Sequence, residues 1–408
     1  MKTQDSNFLK SNIIFHNKIT FKLYILIIYI IFIIISNNKI KKNYNSNNEI
    51  KKIDTLIDKN IYKKMQIEKG KIYLNKCLKE LLINPICNKI KKPKISVIIP
   101  VYNCEKTIIS SIRSIQNQNI SEIEIILVND FSKDNTLKII NNLKKVDSRI
   151  IIINNNKNMG TLYSRCIGVL NAKGIYLFSL DNDDMFFDYD VFDYIYKIGK
   201  EKNFDIVDFN SIFARNYNRN LSGMVENRLS NYPNNLTLKQ PDLGAFPIHK
   251  TKIYNNIHIW AKCIKNEIYK KGVNYLGKKK YSNYMTWAED ISMIFILFNI
   301  AQLYKFVDKY GVIHFSSRTS ASSKASMNNI LFGEIFLLNI IFDFSKNTTD
   351  KNLAVYYALF IKRKHKLNKF KNEKNYFLLK IIIKKILNSK YITKNNIQIL
   401  KDNYKYFI

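Results

Sequence analysis

The stretch from residue 95 to residue 184 opens ISVIIPVYN (95–103) and closes IYLFSLDNDD (175–184), and four short apolar runs inside it decide the fold. Ile95–Ile99, Ile123–Val128, Ile150–Ile153 and Ile175–Leu180 are rich in β-branched residues and continuous rather than alternating. Strands of that kind are buried on both faces, as in a parallel sheet covered by helices. Between them the spacing predicts helices from Glu105 to Gln116, Asp134 to Lys145 and Leu162 to Leu170. Strands alternating with helices form βαβ units, so the predicted class is α/β. In such sheets ligands sit beyond the carboxyl ends of the strands.

Those ends carry Pro100-Val101-Tyr102-Asn103, then Asn129-Asp130 through Asp134, then Asn158-Met159-Gly160, then Asp181-Asn182-Asp183-Asp184. None has the glycine-rich loop of a dinucleotide site or a P-loop, which disfavours hydride transfer and P-loop chemistry. Three carboxylates within Asp181–Asp184 repel one another unless a cation relieves them. Hard oxygen ligands suit Mg²⁺ or Mn²⁺. A cation held there would neutralise a diphosphate and improve it as a leaving group. The alternative reading is an acidic turn that caps the next helix.

At this point PVYN (100–103), VNDFSKDNT (128–136), NKNMG (156–160) and SRCIGVLNAKGIYLFSLDNDD (164–184) resemble a family 2 glycosyltransferase. The resemblance covers roughly residues 94–320 and implies the GT-A fold, a Rossmann-like mixed, mostly parallel sheet flanked by helices. It also implies a nucleotide-diphosphate sugar donor, usually a UDP-sugar, a divalent metal, and inversion at the anomeric carbon. Carried over by position, Pro100, Tyr102 and Glu105 would line the nucleoside pocket and Asp130 would receive the base. Arg165 would face the nucleotide. Asp181 and Asp183 would form the DxD motif, with Asp183 the direct metal ligand and Asp184 a further candidate.

An inverting transfer needs a base for the acceptor hydroxyl. The resemblance places it at Asp290 in Thr286-Trp287-Ala288-Glu289-Asp290, just ahead of the apolar stretch 291–304. Carboxylates in the first turn of a helix are kept ionised by its dipole, and N-capping is the rival role. Glu289 is the neighbouring candidate, and Trp287 is placed to stack on a sugar or to fill core. His258-Ile259-Trp260-Ala261-Lys262-Cys263 is similar to a W-x-K segment, which makes Lys262 a candidate for the donor diphosphate. His314, ahead of Ser316-Ser317-Arg318-Thr319-Ser320, resembles a late basic segment near the diphosphate.

Outside this stretch the composition sets limits. With 408 residues, 46% apolar, 11 glycines and 6 prolines, the chain can bury a large core, which excludes a disordered or collagen-like protein. Its five cysteines form no CxxC pair and suit neither a disulfide scaffold nor a zinc site. The net charge of +34 comes from lysines spread over the whole chain, not from a basic stripe, which argues against nucleic acid.

The uncharged run Leu23–Ile35 is read as an uncleaved signal anchor over residues 19–36, following an N-terminal tail of residues 1–18. It would make the protein single-pass, with sidedness open and an ER or Golgi location compatible. Residues 37–92 read as a partly helical stem, 93–325 as the catalytic domain, and 326–408 as a helical extension. That extension is placed against a membrane surface or in a solvated bundle. Glu334 and Asn339 argue against a second span near residues 330–343. The acceptor is a glycan, lipid or protein. Two rivals share the first half: a polyprenyl-phosphate sugar synthase, which needs no Glu289-Asp290 base, and a catalytically inactive binding module.

Overall fold

All four apolar runs are strands, and they run parallel. In the computed structural model, β1 (Ile95–Val101) lies between β2 (Ile123–Asn129) and β4 (Tyr176–Ser179), with Ile95 opposite both Ile123 and Tyr176. β3 (Ile150–Asn154) extends the sheet beyond β2. The described residues are 66–73, 92–214, 224–225, 236–240, 258–285, 287–315, 327–345, 374–388 and 394–404, all within the compact unit Met65–Ile408. A helical segment at 66–73 is α1. The crossovers are α2 (Ile108–Gln116), α3 (Thr136–Val146) and α4 (Thr161–Asn171).

Beyond β4 the sheet becomes mixed. After β5 (Met185–Phe186) and α5 (Val191–Glu201) come β6 (Ile206–Ala214), β7 (Met224–Val225), β8 (Thr237–Lys239) and β9 (Lys262–Lys265). The rest is α6 (Asn266–Leu276), α7 (Lys278–Tyr281), α8 (Glu289–Ile300), β10 (Leu303–Phe315), α9 (Met327–Ser345), α10 (Lys374–Leu387) and α11 (Lys394–Tyr404). The strand order is β3-β2-β1-β4-β9-β6-β10-β5, with β7 on β6 and β8 on β10. β9 runs antiparallel to β4 and β6, while β10 is parallel to β6. The expected mixed sheet flanked by helices is therefore present.

Successive side chains of a strand face opposite sides of the sheet, and the core divides accordingly. Ile98, Ile126 and Leu177 pack with α4, α6 and α8 on one face. Val97, Ile99, Ile125, Leu127 and Phe178 pack with α2 and α5 on the other. Because both faces are covered, the runs had to be apolar throughout. The C-terminal helices share the first of these cores, since Leu331 and Leu338 of α9, Leu379 and Ile383 of α10, and Leu400 of α11 are buried in it.

The segment expected to be a spacer packs on the domain where it is described. The Tyr73 hydroxyl donates to the Ser114 carbonyl at 2.6 Å. Lys69 Nζ reaches Asp188 and Asp190 at 3.0 Å each, and Lys309 pairs with the same two carboxylates. Lys309 can do so because the register of β10 slips between Val307 and Tyr310, a bulge that re-aims its side chain.

No helix among the described residues is long and apolar enough to cross a membrane. The run Leu23–Ile35, the rest of the expected stem, most of residues 215–257, Thr286 and Ser316–Ser320 lie outside the described residues.

Candidate active site

At the carboxyl end of β4 the chain turns through Leu180–Asp184, and three anchors fix that turn. The Asn182 side chain donates to the Pro100 carbonyl at 3.0 Å. The Asn182 carbonyl accepts from Thr107 Oγ1 at 2.9 Å and Ser111 Oγ at 3.0 Å. Asp184 N donates to the Asp181 carbonyl at 3.1 Å. Asp181 and Asp183 are thereby presented by a backbone tied to β1 and α2. Asn182, read from sequence only as the spacer of the motif, is the residue that locks it.

Arg165 joins the two halves of the site. It lies on the buried side of α4, 3% exposed, with its guanidinium 3.0 Å from Asp181 Oδ1 and 2.7 Å from Asp290 Oδ1. Burial works against its charge, yet Asp290 and Asp181 outweigh burial and hold its pKa above the ordinary arginine value. Its Nε has no hydrogen-bond partner among the described residues. Both ion pairs of Arg165, expected to face the nucleotide, go to carboxylates of the site. Residues 125 apart in the chain, Arg165 and Asp290, thus meet directly.

Asp290 occupies the first turn of α8 with Glu289, as the motif implied. Its Oδ2 also accepts from Ile259 N at 3.4 Å. Burial, then the neighbouring Asp290, pushes the Glu289 carboxyl up to about 7 in spite of Arg165. Burial likewise raises Asp181 to about 6; Arg165 opposes this, while Asp290 and Asp183 add to it. Two carboxylates thus share one guanidinium, with the Glu289 and Asp183 carboxyl groups nearby. This surplus of negative charge and hard oxygen is the donor chemistry of a divalent cation site. No set of three metal-ligating side chains converges among the described residues. Asp181 and Asp183 offer hard carboxylate oxygens of the kind such a cation would take, were its other ligands supplied by a bound molecule and water.

Where the resemblance places the nucleoside, Tyr102 is 43% exposed at the end of β1. Tyr284, unremarked in the sequence, is 55% exposed, and its ring would lie 3.2 Å from a Cβ added at Gly160. Gly160 has φ +90 as well, so the backbone favours glycine there, and an added Cβ would press on the Tyr284 ring. Asp130 has a structural task before any ligand: it accepts from Asn155 Nδ2 and Met159 N at 2.8 Å and from Gly160 N at 2.7 Å. Of a carboxylate's roughly four lone-pair sites, about one remains for a base. Glu105 accepts from the Asn135 amide and side chain at 3.0 Å, which fixes the start of α3. Pro100 is buried in β1, and its contribution is the carbonyl that holds Asn182.

Four further expectations change. Lys262 is fully buried, 3.3 Å from Asp208 and donating to the His258 carbonyl at 2.9 Å, so its ammonium is enclosed away from any diphosphate. Asp184 is fully buried and binds His314 Nδ1 at 2.8 Å and Phe315 N at 3.0 Å, so it fastens the end of β10. Burial lowers His314, but Asp184 outweighs it, and the imidazole is pushed up to about 9. The His314 ring stacks on Trp260, which also stacks with His258. Trp287 turns its indole N–H to Glu334 at 3.2 Å, not to a sugar site.

Removing one partner of a buried ion pair leaves an uncompensated charge, at a cost of about 3–5 kcal/mol. Lys262→Met is expected to lose that much in urea unfolding, and Lys262→Met/Asp208→Leu to regain most of it. A single variant as stable as the parent would contradict the assignment.

Comparison with known proteins agrees with this fold. Residues 96–255 match the family described as glycosyl transferase family 2. Over 90 residues the chain is 44% identical to the Escherichia coli UDP-Glc:alpha-D-GlcNAc-diphosphoundecaprenol beta-1,3-glucosyltransferase WfaP, covering 22% of this chain and 35% of that one. It is 39% identical over 93 residues to the Campylobacter jejuni GalNAc(5)-diNAcBac-PP-undecaprenol beta-1,3-glucosyltransferase, covering 22% and 30%. The chain thus spans about a third of the length of these curated relatives. The crystal structure of S. aureus TarS 1–349 in complex with UDP-GlcNAc superposes with a TM-score of 0.57 at 16% identity, over 77% of this chain and 90% of that one. That likeness establishes the fold.

Proposed function

We propose that this chain, whose residues 96–255 match glycosyl transferase family 2, moves a sugar with inversion from a nucleoside diphosphate, UDP by preference, to an acceptor hydroxyl. The observation that carries the reading is the Arg165 bridge, which sets the Asp181 end of the acidic turn and Asp290 on one guanidinium. A donor-phosphate site and a base are useful only when they face one reacting carbon.

Tyr102 and Tyr284 flank the nucleoside, and Asp181 and Asp183 hold a Mg²⁺ or Mn²⁺ ion. Such an ion, when bound, offsets the charge of the departing diphosphate. Asp290 takes the proton of the acceptor hydroxyl as its oxygen bonds to the anomeric carbon and the bond from that carbon to the diphosphate oxygen breaks. The Arg165 clasp on Asp290 favours this base-using transfer over a polyprenyl-phosphate sugar synthase.

The two named relatives act on diphosphoundecaprenol-linked sugars, which supports a lipid-linked saccharide as acceptor. A membrane-held acceptor accords with Leu23–Ile35 serving as a single-pass anchor.

UDP at a hundredfold excess over Kd should stabilise the fold by about 2.7 kcal/mol. Thermal unfolding is expected to move up with UDP and Mn²⁺ and to stay unchanged with UDP and EDTA. No shift under either condition would sink the donor site.

A further inference from the structure

The segment that delivers the base is strained and clamped by the C-terminal extension. Ala288, the residue before Glu289-Asp290, has φ 62, the left-handed region that a non-glycine residue enters at a cost of about 1–2 kcal/mol. Such strain persists only where the surroundings over-determine it. From one side, Ser292 N at 3.0 Å and Ser292 Oγ at 2.6 Å donate to the Ala288 carbonyl.

From the other side comes α9. Glu334, 3% exposed, accepts the Trp287 indole N–H at 3.2 Å. Gly333 lies so close that an added Cβ would stand 2.2 Å from the Trp287 carbonyl oxygen and 3.3 Å from Ala288 Cβ. Glu334 is the one acid in the apolar stretch 330–342. Burying a carboxylate there is costly unless it is hydrogen-bonded.

We propose that Gly333 and Glu334 of the C-terminal extension are positioning residues for Asp290, acting through Trp287 and Ala288. The inference rests on the reading of Asp290 as the base. The backbone of α9 lies directly against the Trp287-Ala288 peptide, and Asp290 follows two residues later. Its carboxylate must stay on Arg165, 2.7 Å away, to face the donor. Displacing that peptide swings the first turn of α8, and a displacement of about 1 Å in a reacting geometry costs about 100-fold. The extension then completes the active site as well as the core.

The test uses the full chain with UDP-GlcNAc or UDP-glucose, whichever the wild type turns over, read as UDP release, together with calorimetry of UDP in Mn²⁺. Gly333→Ala and Glu334→Leu are expected to lower kcat about 10- to 100-fold while leaving donor KM and UDP affinity within about twofold. Glu334→Gln, whose amide oxygen still accepts the indole N–H, should recover most of the rate. Trp287→Phe removes that donor together with the pyrrole ring of the indole, should still fold, and should lower kcat as Glu334→Leu does, with no further loss in the double variant. Folded Gly333→Ala and Trp287→Phe proteins with unchanged kcat would overturn the proposal, and so would a parallel loss of UDP affinity. A wild type that neither binds UDP nor releases it would instead overturn the transferase reading itself.

Discussion

Replacing Arg165 with methionine is expected to abolish transfer and to unfold the domain at markedly lower denaturant. The guanidinium sits between Asp181 and Asp290, and all but 3% of its surface is buried. Its loss leaves two carboxylates facing each other with no counter-charge, beside Asp183 and Glu289. Breaking a buried pair in this way costs about 3–5 kcal/mol, a large share of a domain's net stability of about 5–15 kcal/mol. Lysine should not rescue the rate, because one ammonium cannot reproduce a planar fork held on two separate carboxylates. A surface arginine would behave otherwise: Arg165→Met with near-normal turnover and melting would show that the two ion pairs do nothing.

Asp290→Asn is expected to reduce transfer by about 100- to 10,000-fold, the usual contribution of a general base, while UDP still binds. Asparagine keeps the shape and can still accept from the Arg165 guanidinium, so the fold should survive. Loss of UDP affinity instead would move Asp290 from proton transfer to donor binding.

Glu289 adds a pH dependence. Its pKa lies near 7 in the fold, above the ordinary 4.5, because burial and Asp290 disfavour its charge. A carboxyl with a raised folded pKa contributes stability only while protonated. That contribution is expected to decline as pH rises from about 4.5 through about 7. Glu289→Gln should flatten this stability profile in urea unfolding, and a wild-type stability profile that Glu289→Gln leaves unchanged across that window would contradict the assignment.

The parallel half of the sheet was legible because its strands are covered on both faces. That leaves runs such as Ile123–Val128 apolar throughout, and each run ended within one or two residues of its reading. The antiparallel half was not. β5 and β7 have two residues each, and β9 reads KCIK, with a lysine that is buried only because Asp208 waits on β6. No local pattern announces a partner 54 positions away, so Lys262 read as a ligand lysine.

Arg165 could have been placed better. Leu162, Cys166 and Val169 mark the buried side of α4, and at helical spacing Arg165 falls among them. An arginine on an apolar face needs carboxylates to meet it, and Asp181 and Asp290 were already the acids singled out. Tyr284 and Glu334 carried no such signal. Each matters through what the fold lays beside it, Gly160 in one case and Trp287 in the other.

The most direct measurement is phosphorus NMR of UDP bound to the full chain, with Mn²⁺ added as a paramagnetic probe. Both diphosphate resonances should broaden in the wild type and in Asp290→Asn, and should stay sharp in Asp183→Asn at the same Mn²⁺ concentration. Equal broadening in Asp183→Asn would mean that the acidic turn after β4 does not hold the donor's cation, and the proposed site would be wrong.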